Sequence, residues 1–112
     1  MDIKIVKADE RHRKDINRLM RGAGIGCFGK DEPIKNCWFV RRGGRVIACA
    51  SLDFHGADVA VLRGIVVERE LRHHGIGSRL IAHRMKVAKE RGAKILALAT
   101  MYYLFRFYKK RG

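Results

Sequence analysis

The stretch Arg72-His73-His74-Gly75-Ile76-Gly77-Ser78 decides the fold of this chain. It follows an apolar run, Ile65-Val66-Val67, and a charged turn at residues 68–71, and it opens a long helical pattern. This order predicts a strand, a glycine-containing loop and a helix. Glycine lets a ligand approach the backbone closely, and the free N–H groups of a first helical turn carry partial positive charge. The stretch therefore predicts an anion site suited to phosphate.

Residue types exclude two commoner phosphate-binding loops. A P-loop ends in Gly-Lys-Ser/Thr, whereas Gly77 is followed by Ser78-Arg79. A dinucleotide-binding loop requires a third glycine where this chain has Leu80, and an acid about 20 residues further on. No acidic residue follows Glu90. What remains is Arg-x-x-Gly-x-Gly between a strand and a helix.

This pattern resembles motif A of the GCN5-related N-acetyltransferase (GNAT) superfamily, in which Arg/Gln-x-x-Gly-x-Gly/Ala binds the pyrophosphate of acetyl-coenzyme A. The surrounding segments agree with the resemblance. Leu62–Val67 is similar to the family's fourth strand, Ser78–Arg91 to its third helix, and Phe107–Gly112 to its Phe-Tyr-x-Lys-x-Gly segment. The resemblance covers Cys37–Gly112, and the N-terminal third agrees only in the order of its elements.

The resemblance implies the fold and the enzyme class. The expected fold is α/β (α+β), with one domain over residues 1–112 and a mixed, mainly antiparallel sheet flanked by helices. The expected enzyme is an acyltransferase that moves an acetyl group from acetyl-coenzyme A to a primary amine. Family members ordinarily continue into two further strands, so the chain would be truncated, minimal, or completed by a partner subunit, for example in a homodimer.

Roles for individual residues also follow from the resemblance. Acetyl-coenzyme A is the expected cosubstrate, and no metal is expected. The N–H of Ile65 or Val67 would donate to the thioester oxygen. Tyr108 matches the tyrosine that protonates the departing thiolate, although a core position on an amphipathic helix is an equally good interpretation of that residue. The predicted cofactor-binding residues are Arg72, His73, His74, Gly75, Ile76, Gly77 and Ser78 in the loop, with Ile65, Val66 and Val67 on the strand before it.

The chain departs from the family's pattern where a general base is concerned. Met101 stands where many members carry Asn, and the fifth strand has no acid. Asp53, His55 and Asp58 near strand ends are candidates, although each also fits an ordinary turn residue. A strongly positive field would instead lower the pKa of a bound ammonium and supply free amine without a dedicated base.

Composition limits the remaining classes of function. The formal net charge is +14 and the pI is near 10.5, which predicts attraction to polyanions, including nucleic acid. An RNA-binding role is not favoured, because the basic residues are spread along the chain and no aromatic-basic signature is present. The three cysteines, an odd number without a C-x-x-C pair, indicate free thiols in a reducing cytoplasm. No apolar segment reaches the ~18 residues of a membrane span, so a cytoplasmic protein without membrane association is expected.

The rest of the chain predicts alternating strands and helices. Gly43-Gly44 is a two-residue hairpin turn, and Val46, Ala48, Ala50 and Leu52 are expected to share one face of the second hairpin strand. Gly24-x-Gly26-x-x-Gly29 follows a helix and is therefore interpreted as a loop, not as a dinucleotide site. The predicted elements are a strand over Asp2–Ala8, a helix over Glu10–Arg21 capped by Asp9, strands over Cys37–Arg42, Arg45–Phe54 and Asp58–Val67, a buried strand over Lys94–Thr100, and an amphipathic helix over Met101–Arg111.

The acceptor is the least determined feature of the sequence. In the family the first helix and the following loop, here Arg18–Trp38, usually form the acceptor pocket. Its cations would suit a small amino-acid-like acceptor with a carboxylate better than a polyamine. Two alternatives stay open: a protein or peptide N-acetyltransferase, and a catalytically silent basic nucleic-acid- or ribosome-binding module. The cations in question are Arg18, Arg21, Lys30 and Lys35.

Overall fold

A computed structural model describes residues 3–24, 28–72 and 74–98 of the chain. These residues form a five-stranded sheet in which the spatial order of the strands is the chain order. The strands are β1 (Ile5–Lys7), β2 (Cys37–Arg42), β3 (Arg45–His55), β4 (Val59–Val67) and β5 (Ile95–Leu98). The helices are α1 (Arg13–Gly22) and α2 (Ile76–Glu90), with short 3-10 helices at Glu10–His12 and Arg69–Leu71.

The sheet is mixed and mainly antiparallel, which confirms the predicted fold class. Neighbouring strands from β1 to β4 are antiparallel, and β5 runs parallel to β4. Parallel neighbours require a crossover connection, and α2 provides it between β4 and β5. The predicted hairpin between β2 and β3 is confirmed, with Gly43 at φ +62°. Between the carboxyl end of β4 and the N-terminus of α2 lies the 3-10 helix Arg69–Leu71.

The two helices pack on opposite faces of the sheet, as predicted. On one face, buried residues of α2 such as Leu80 and Ile81 pack with Trp38 and Leu62. On the other face, Ile16 of α1 is fully buried against a second cluster that includes Phe39. Each face of the sheet thus has its own apolar layer.

A β-bulge near the start of β3 contradicts the prediction about which side chains of that strand share a face. Val40 pairs with Ala48 while Arg41 pairs with Val46, so Ile47 is an extra residue in β3. An extra residue shifts the alternation of side chains by one position. Val46 therefore packs in the α1-side cluster, whereas Ala48, Ala50 and Leu52 lie on the α2 side. The prediction that Val46 shares their face was wrong.

The strand predicted over Lys94–Thr100 is described only as far as Leu98, and its burial was also mispredicted. Ile95 and Leu96 are 57% and 39% exposed. Among the described strands β5 has a neighbour on one side only, namely β4. Over the described residues β5 is therefore an edge strand, and its apolar side chains are partly exposed for that reason. The predicted helix Met101–Arg111 lies outside the described residues.

The N-terminal segment shows how local hydrogen bonds begin the first helix. Asp9 caps the 3-10 helix by accepting from the Arg11 N–H at 2.9 Å, and hydrogen bonding by Arg11 lowers the pKa of Asp9 to about 2. Regular α-helix begins at Arg13, three residues later than predicted. The segment after Gly29 is a turn, closed by the Glu32 N–H donating to the Gly29 carbonyl at 3.1 Å. Neither helix in the described part of the chain combines the length and apolarity needed to cross a bilayer.

Two cysteines inside the sheet provide a test of this packing. Cys37 and Cys49 are 1% and 2% exposed. Burial raises the pKa of Cys37 to about 12 and raises that of Cys49 as well, so neither forms thiolate at pH 8. In a Cys27→Ser background, we expect no rapid reaction with an aromatic disulfide reagent in the native protein and two thiols released after denaturation. Rapid labelling of either thiol in the native state would contradict the packing.

Candidate functional site

The N-terminus of α2 presents three backbone N–H groups that the helix itself does not use. The first hydrogen bond of the helix runs from the Arg79 N–H to the Gly75 carbonyl at 3.1 Å. The N–H groups of Ile76, Gly77 and Ser78 consequently have no preceding helical acceptor. Gly75 is the N-cap residue, makes no side-chain cap, and is followed by no acidic residue in the first turn. The predicted anion loop therefore exists as an uncapped helix start with partial positive charge.

Gly75 is required by its backbone conformation. It has φ +80° and ψ 4°, in the left-handed region. A Cβ built at this position meets nothing within 4 Å, so space does not select glycine here. Side chains of L-residues are strained at such a φ, which makes glycine the suitable residue for the turn from His74 into α2. Ile76 is 1% exposed and anchors the first turn in the core.

The last residues of β4 present backbone N–H groups to the edge opposite β3. The Glu68 N–H donates to the Ile47 carbonyl of β3 at 2.9 Å. Successive N–H groups of a strand point to opposite edges, so those of Val67 and Ile65 are directed away from β3. The described pairing with β5 reaches only from Val59 to Leu62. Val67 and Ile65 thus lie beyond that pairing, on the side where the sequence predicts a thioester.

A cavity of about 600 Å³ lies at this end of the sheet. It is bounded by the end of α1, the start of β3, the end of β4 and the 3-10 helix that follows. Four residues of its lining were predicted from the sequence as site residues, namely Arg18, Val66, Val67 and Arg72. The lining residues are Arg18, Leu19, Gly22, Ala23, Arg45, Val46, Val66, Val67, Glu68, Arg69, Glu70 and Arg72.

The polar groups of the cavity carry both signs of charge. Four guanidinium groups face two carboxylates in its lining. Arg45 Nη2 lies 2.5 Å from Glu68 Oε1, and the Glu68 side chain is 16% exposed. The Nε of Arg72 donates to the Val67 carbonyl at 3.2 Å, which holds the arginine of the Arg-x-x-Gly-x-Gly pattern at the end of β4. The cavity can therefore bind a ligand that carries both an anionic and a cationic group.

The structure brings together only part of the predicted site. Arg72, Val66 and Val67 line the cavity, while His74 is exposed beside the start of α2. His73 and Tyr108 lie outside the described residues. Of the four cations proposed for the acceptor pocket only Arg18 lines the cavity, and the other three are exposed at positions 21, 30 and 35.

The base candidates taken from the sequence lie at the wrong end of the sheet. His55 pairs with Val59 at the start of β4, and Asp58 directly precedes that strand. Eight residue steps of extended chain, roughly 25 Å, separate Val59 from Val67. Asp53 is paired with Arg63 at 2.7 Å. None of the three can therefore reach an acceptor at the carboxyl end of β4.

Sequence reasoning missed four charged residues of the cavity, Arg45, Glu68, Arg69 and Glu70. Their positions were accessible in principle, because an antiparallel neighbour of β4 must begin where β4 ends. The predicted hairpin turn at Gly43-Gly44 therefore places Arg45 beside Glu68. The family resemblance, and not the residue pattern, implied that the first helix takes part in the acceptor pocket. The residues of α1 and its C-cap that line the cavity are Arg18, Leu19, Gly22 and Ala23.

Two of the described histidines contact other residues of the chain. Asp9 N–H donates to His12 Nδ1 at 3.0 Å. His83 packs edge-on against Trp38 with ring centroids 5.5 Å apart, and burial lowers the pKa of His83. Within residues 3–24, 28–72 and 74–98, no cluster of three or more potential ligands suited to a metal ion is present.

Comparison with known proteins gives a consistent result. The model of the acetyltransferase (GNAT) family matches residues 7–112. No curated protein matches the sequence. N-acetylglutamate synthase from Neisseria gonorrhoeae, solved with coenzyme A and N-acetyl-glutamate, superimposes with a TM-score of 0.78 at 23% identity, over 100% of this chain and 28% of that one. This chain thus spans less than a third of that synthase.

This chain covers most of the length of two further solved structures. Ard1 from Thermoplasma volcanium superimposes with a TM-score of 0.80 at 15% identity, over 100% of this chain and 82% of that one. The ribosomal-protein-alanine N-acetyltransferase from Brucella melitensis biovar Abortus 2308 gives a TM-score of 0.75 at 16% identity, over 97% and 87%. At these identities the likeness concerns the fold.

The left-handed backbone at Gly75 predicts how strongly substitutions at this position lower the stability of the protein. Gly75→Ala should lower the free energy of unfolding by about 1–2 kcal/mol, because alanine is strained at this φ. Gly75→Asn should cost less, since asparagine tolerates the left-handed region best after glycine. Gly44→Ala is the matched control, because Gly44 also has open space around it but no positive φ. Urea denaturation measures all three, and equal stability of Gly75→Ala and Gly44→Ala would contradict the argument.

Proposed function

Because this chain belongs to the acetyltransferase (GNAT) family, we propose that it transfers the acetyl group of acetyl-coenzyme A to the primary amine of a small amino-acid-like acceptor. One observation carries the choice of acceptor: the cavity at the end of β4 has both guanidinium and carboxylate groups in its lining. The acceptor cavity and the start of α2 lie at the same end of β4, so acceptor and cosubstrate can meet beside Val67.

The residues at the start of α2 fit a diphosphate. Three N–H groups without helical acceptors, an N-cap without a side chain and a first turn without acids all favour an anion. The formal net charge of +14 favours its approach over long distances. When bound, acetyl-coenzyme A would supply an acetyl group already activated as a thioester. The side chains of His74 and Ser78 would lie beside its phosphates, with His73 on the same loop.

The chain's own groups then have defined tasks in the transfer. The N–H of Val67 or Ile65 would donate to the carbonyl oxygen as negative charge develops on it. The acceptor nitrogen attacks the carbonyl carbon, the new C–N bond forms, and the C–S bond breaks with its electron pair leaving on sulfur. Tyr108 is our candidate to give that sulfur a proton, and the nitrogen releases its own extra proton to solvent.

The lining of the cavity supports an acceptor that carries a carboxylate as well as an amine. Arg18 is available to a carboxylate, because its contact with Asp15 is a loose 3.8 Å and its side chain is 61% exposed. Planar guanidinium groups bind carboxylates through two parallel hydrogen bonds. A polyamine would find four guanidinium groups against two carboxylates and would be repelled.

Calorimetric titration with acetyl-coenzyme A, followed by an acceptor screen that detects released thiol, tests the proposal. The screen should contain amino acids, a polyamine such as spermidine, and peptides with free N-termini. We expect turnover with an amino acid and none with spermidine. Turnover with peptides alone would favour the protein N-acetyltransferase, and salt-sensitive RNA binding without coenzyme binding would favour the nucleic-acid module.

Arg18 provides the sharpest prediction about the acceptor. Arg18→Met should raise KM for the best amino-acid acceptor about tenfold, because one charge-assisted pair to the carboxylate is lost. The affinity for coenzyme A should stay within twofold. Arg42→Met, at an exposed position of the β2–β3 hairpin, is the matched control for the loss of one positive charge. An unchanged KM in Arg18→Met would remove the carboxylate contact from the proposal.

Tyr108 provides a separate prediction about proton transfer. Tyr108→Phe should lower kcat about a hundredfold, in the range typical of a lost general acid, while the affinity for acetyl-coenzyme A changes less than threefold. Steady-state kinetics and calorimetry on the same preparations separate the two effects. Equal kcat values in the two proteins would leave Tyr108 without this role.

A further inference from the structure

Arg84 is a buried cation in the middle of α2 that the proposed reaction does not use. It is 0% exposed, and it is the only charged residue in the buried set among residues 3–24, 28–72 and 74–98. Arginine stays protonated in proteins, and moving its guanidinium out of water is unfavourable unless hydrogen bonds replace the lost water. Its burial therefore has to be compensated by well-placed acceptors.

Two of these acceptors are backbone carbonyls on different strands. Arg84 Nη1 donates to the Arg63 carbonyl of β4 at 2.6 Å and to the Ser51 carbonyl of β3 at 2.9 Å. A longer contact of 3.4 Å joins Nε to the Leu80 carbonyl of its own helix. A single side chain thus connects α2 to two neighbouring strands of the sheet, β3 and β4.

The two strand carbonyls belong to a second β-bulge. Ala50 pairs with Ile65 and Leu52 pairs with Leu62, so Ser51 stands opposite two residues of β4, Arg63 and Gly64. A bulge interrupts the regular ladder and bends the strand that carries the extra residue. The guanidinium supplies hydrogen bonds at this interruption, where the ladder does not continue regularly.

We propose that Arg84 is a positioning residue that fixes the end of β4 relative to the start of α2. The bulge lies directly before Ile65 and Val67, whose N–H groups are the candidates for the thioester oxygen. Ile76, the first residue of the helix, lies eight residues before Arg84, or roughly 12 Å along the axis. Arg84 would thereby hold together the two halves of the acetyl-coenzyme A site, a role that rests on the proposed function.

Amide hydrogen exchange tests the structural half of this proposal without any ligand. Arg84→Met keeps an unbranched side chain and removes every donor. Within residues 63–67 the readout is Val66, whose N–H points toward its partner Cys49 in β3. We expect its exchange to become at least tenfold faster, and exchange at residues 38–40 of β2 to change less than twofold. Lys89→Met is the matched control, because it removes a cation from an exposed position of the same helix. Its exchange should equal that of the wild type.

Arg84→Lys and kinetics test the functional half. Lysine keeps N–H donors, although on a single ammonium nitrogen. Arg84→Lys should therefore accelerate exchange at residues 63–67 by less than Arg84→Met does, again without effect on β2. With acetyl-coenzyme A and the best amino acid of the acceptor screen, Arg84→Met should lower kcat at least tenfold. The affinity for coenzyme A, measured by calorimetry, should fall less than threefold, because the first turn of α2 stays anchored by Ile76.

Three outcomes would overturn the proposal. Unchanged exchange at residues 63–67 in Arg84→Met would show that the bulge does not depend on the guanidinium. Equal acceleration of exchange in β2 and β4 would show a general loss of stability. If Arg84→Met does not fold, the same comparison is made in Arg84→Lys. Unchanged kcat despite faster exchange would show that the bulge does not position reacting groups. Wild-type protein that fails to bind coenzyme A would instead refute the proposed function and leave the exchange result intact.

Discussion

The packing of α2 against the sheet is the constraint on which the candidate site depends. Ile76, Leu80 and Ile81 are 1%, 0% and 1% exposed, and full burial of such a side chain contributes roughly 1.5–3 kcal/mol. Ile76 is also the first residue of the helix, so α2 cannot unwind at its start without exposing it. The unpaired amides of the first turn are therefore held in place by the core and not by a ligand. Such preorganisation lets an anion bind without first ordering the loop.

The two bulges of the central strands determine which backbone groups reach the site. The bulge at Ile47 turns Val46 toward α1 and into the cavity lining, and it lets the Ile47 carbonyl accept from Glu68. The bulge at Arg63 and Gly64 precedes the part of β4 that lies beyond the described pairing with β5. One bulge precedes Ile65–Val67 in β4, and the other lies in β3 beside the end of that segment, which carries the proposed catalytic amides.

The sequence predicted those features that rest on local patterns. The hairpin at Gly43-Gly44, the glycine turn before α2 and the strand before it follow from side-chain periodicity and from the conformational freedom of glycine. Features that rest on long-range geometry were missed. No local signal announces an extra residue at Ile47. Helical spacing from Leu80, Ile81 and Ala88 places position 84 on the buried stripe, but the charge of an arginine predicts exposure. The base candidates Asp53, His55 and Asp58 were misplaced for the same reason. They were chosen by residue type and not by the end of the strand at which they lie.

The charges of the cavity affect how readily a bound acceptor amine loses its proton. If Arg45 and Glu68 neutralise each other, Arg18, Arg69 and Arg72 face Glu70, which leaves a net charge of about two. Arg18 and Arg45 are more than 60% exposed, so a water-like dielectric applies, and each unit charge at ~6 Å then lowers an ammonium pKa by roughly half a unit. The sum is about one unit. A peptide α-amine of ordinary pKa ~8 would then lose its proton near neutral pH, whereas a side-chain amine of pKa ~10.4 would stay protonated. In a free amino acid the carboxylate raises the pKa of the neighbouring α-amine, and in our proposal the guanidinium groups that bind this carboxylate would offset that effect.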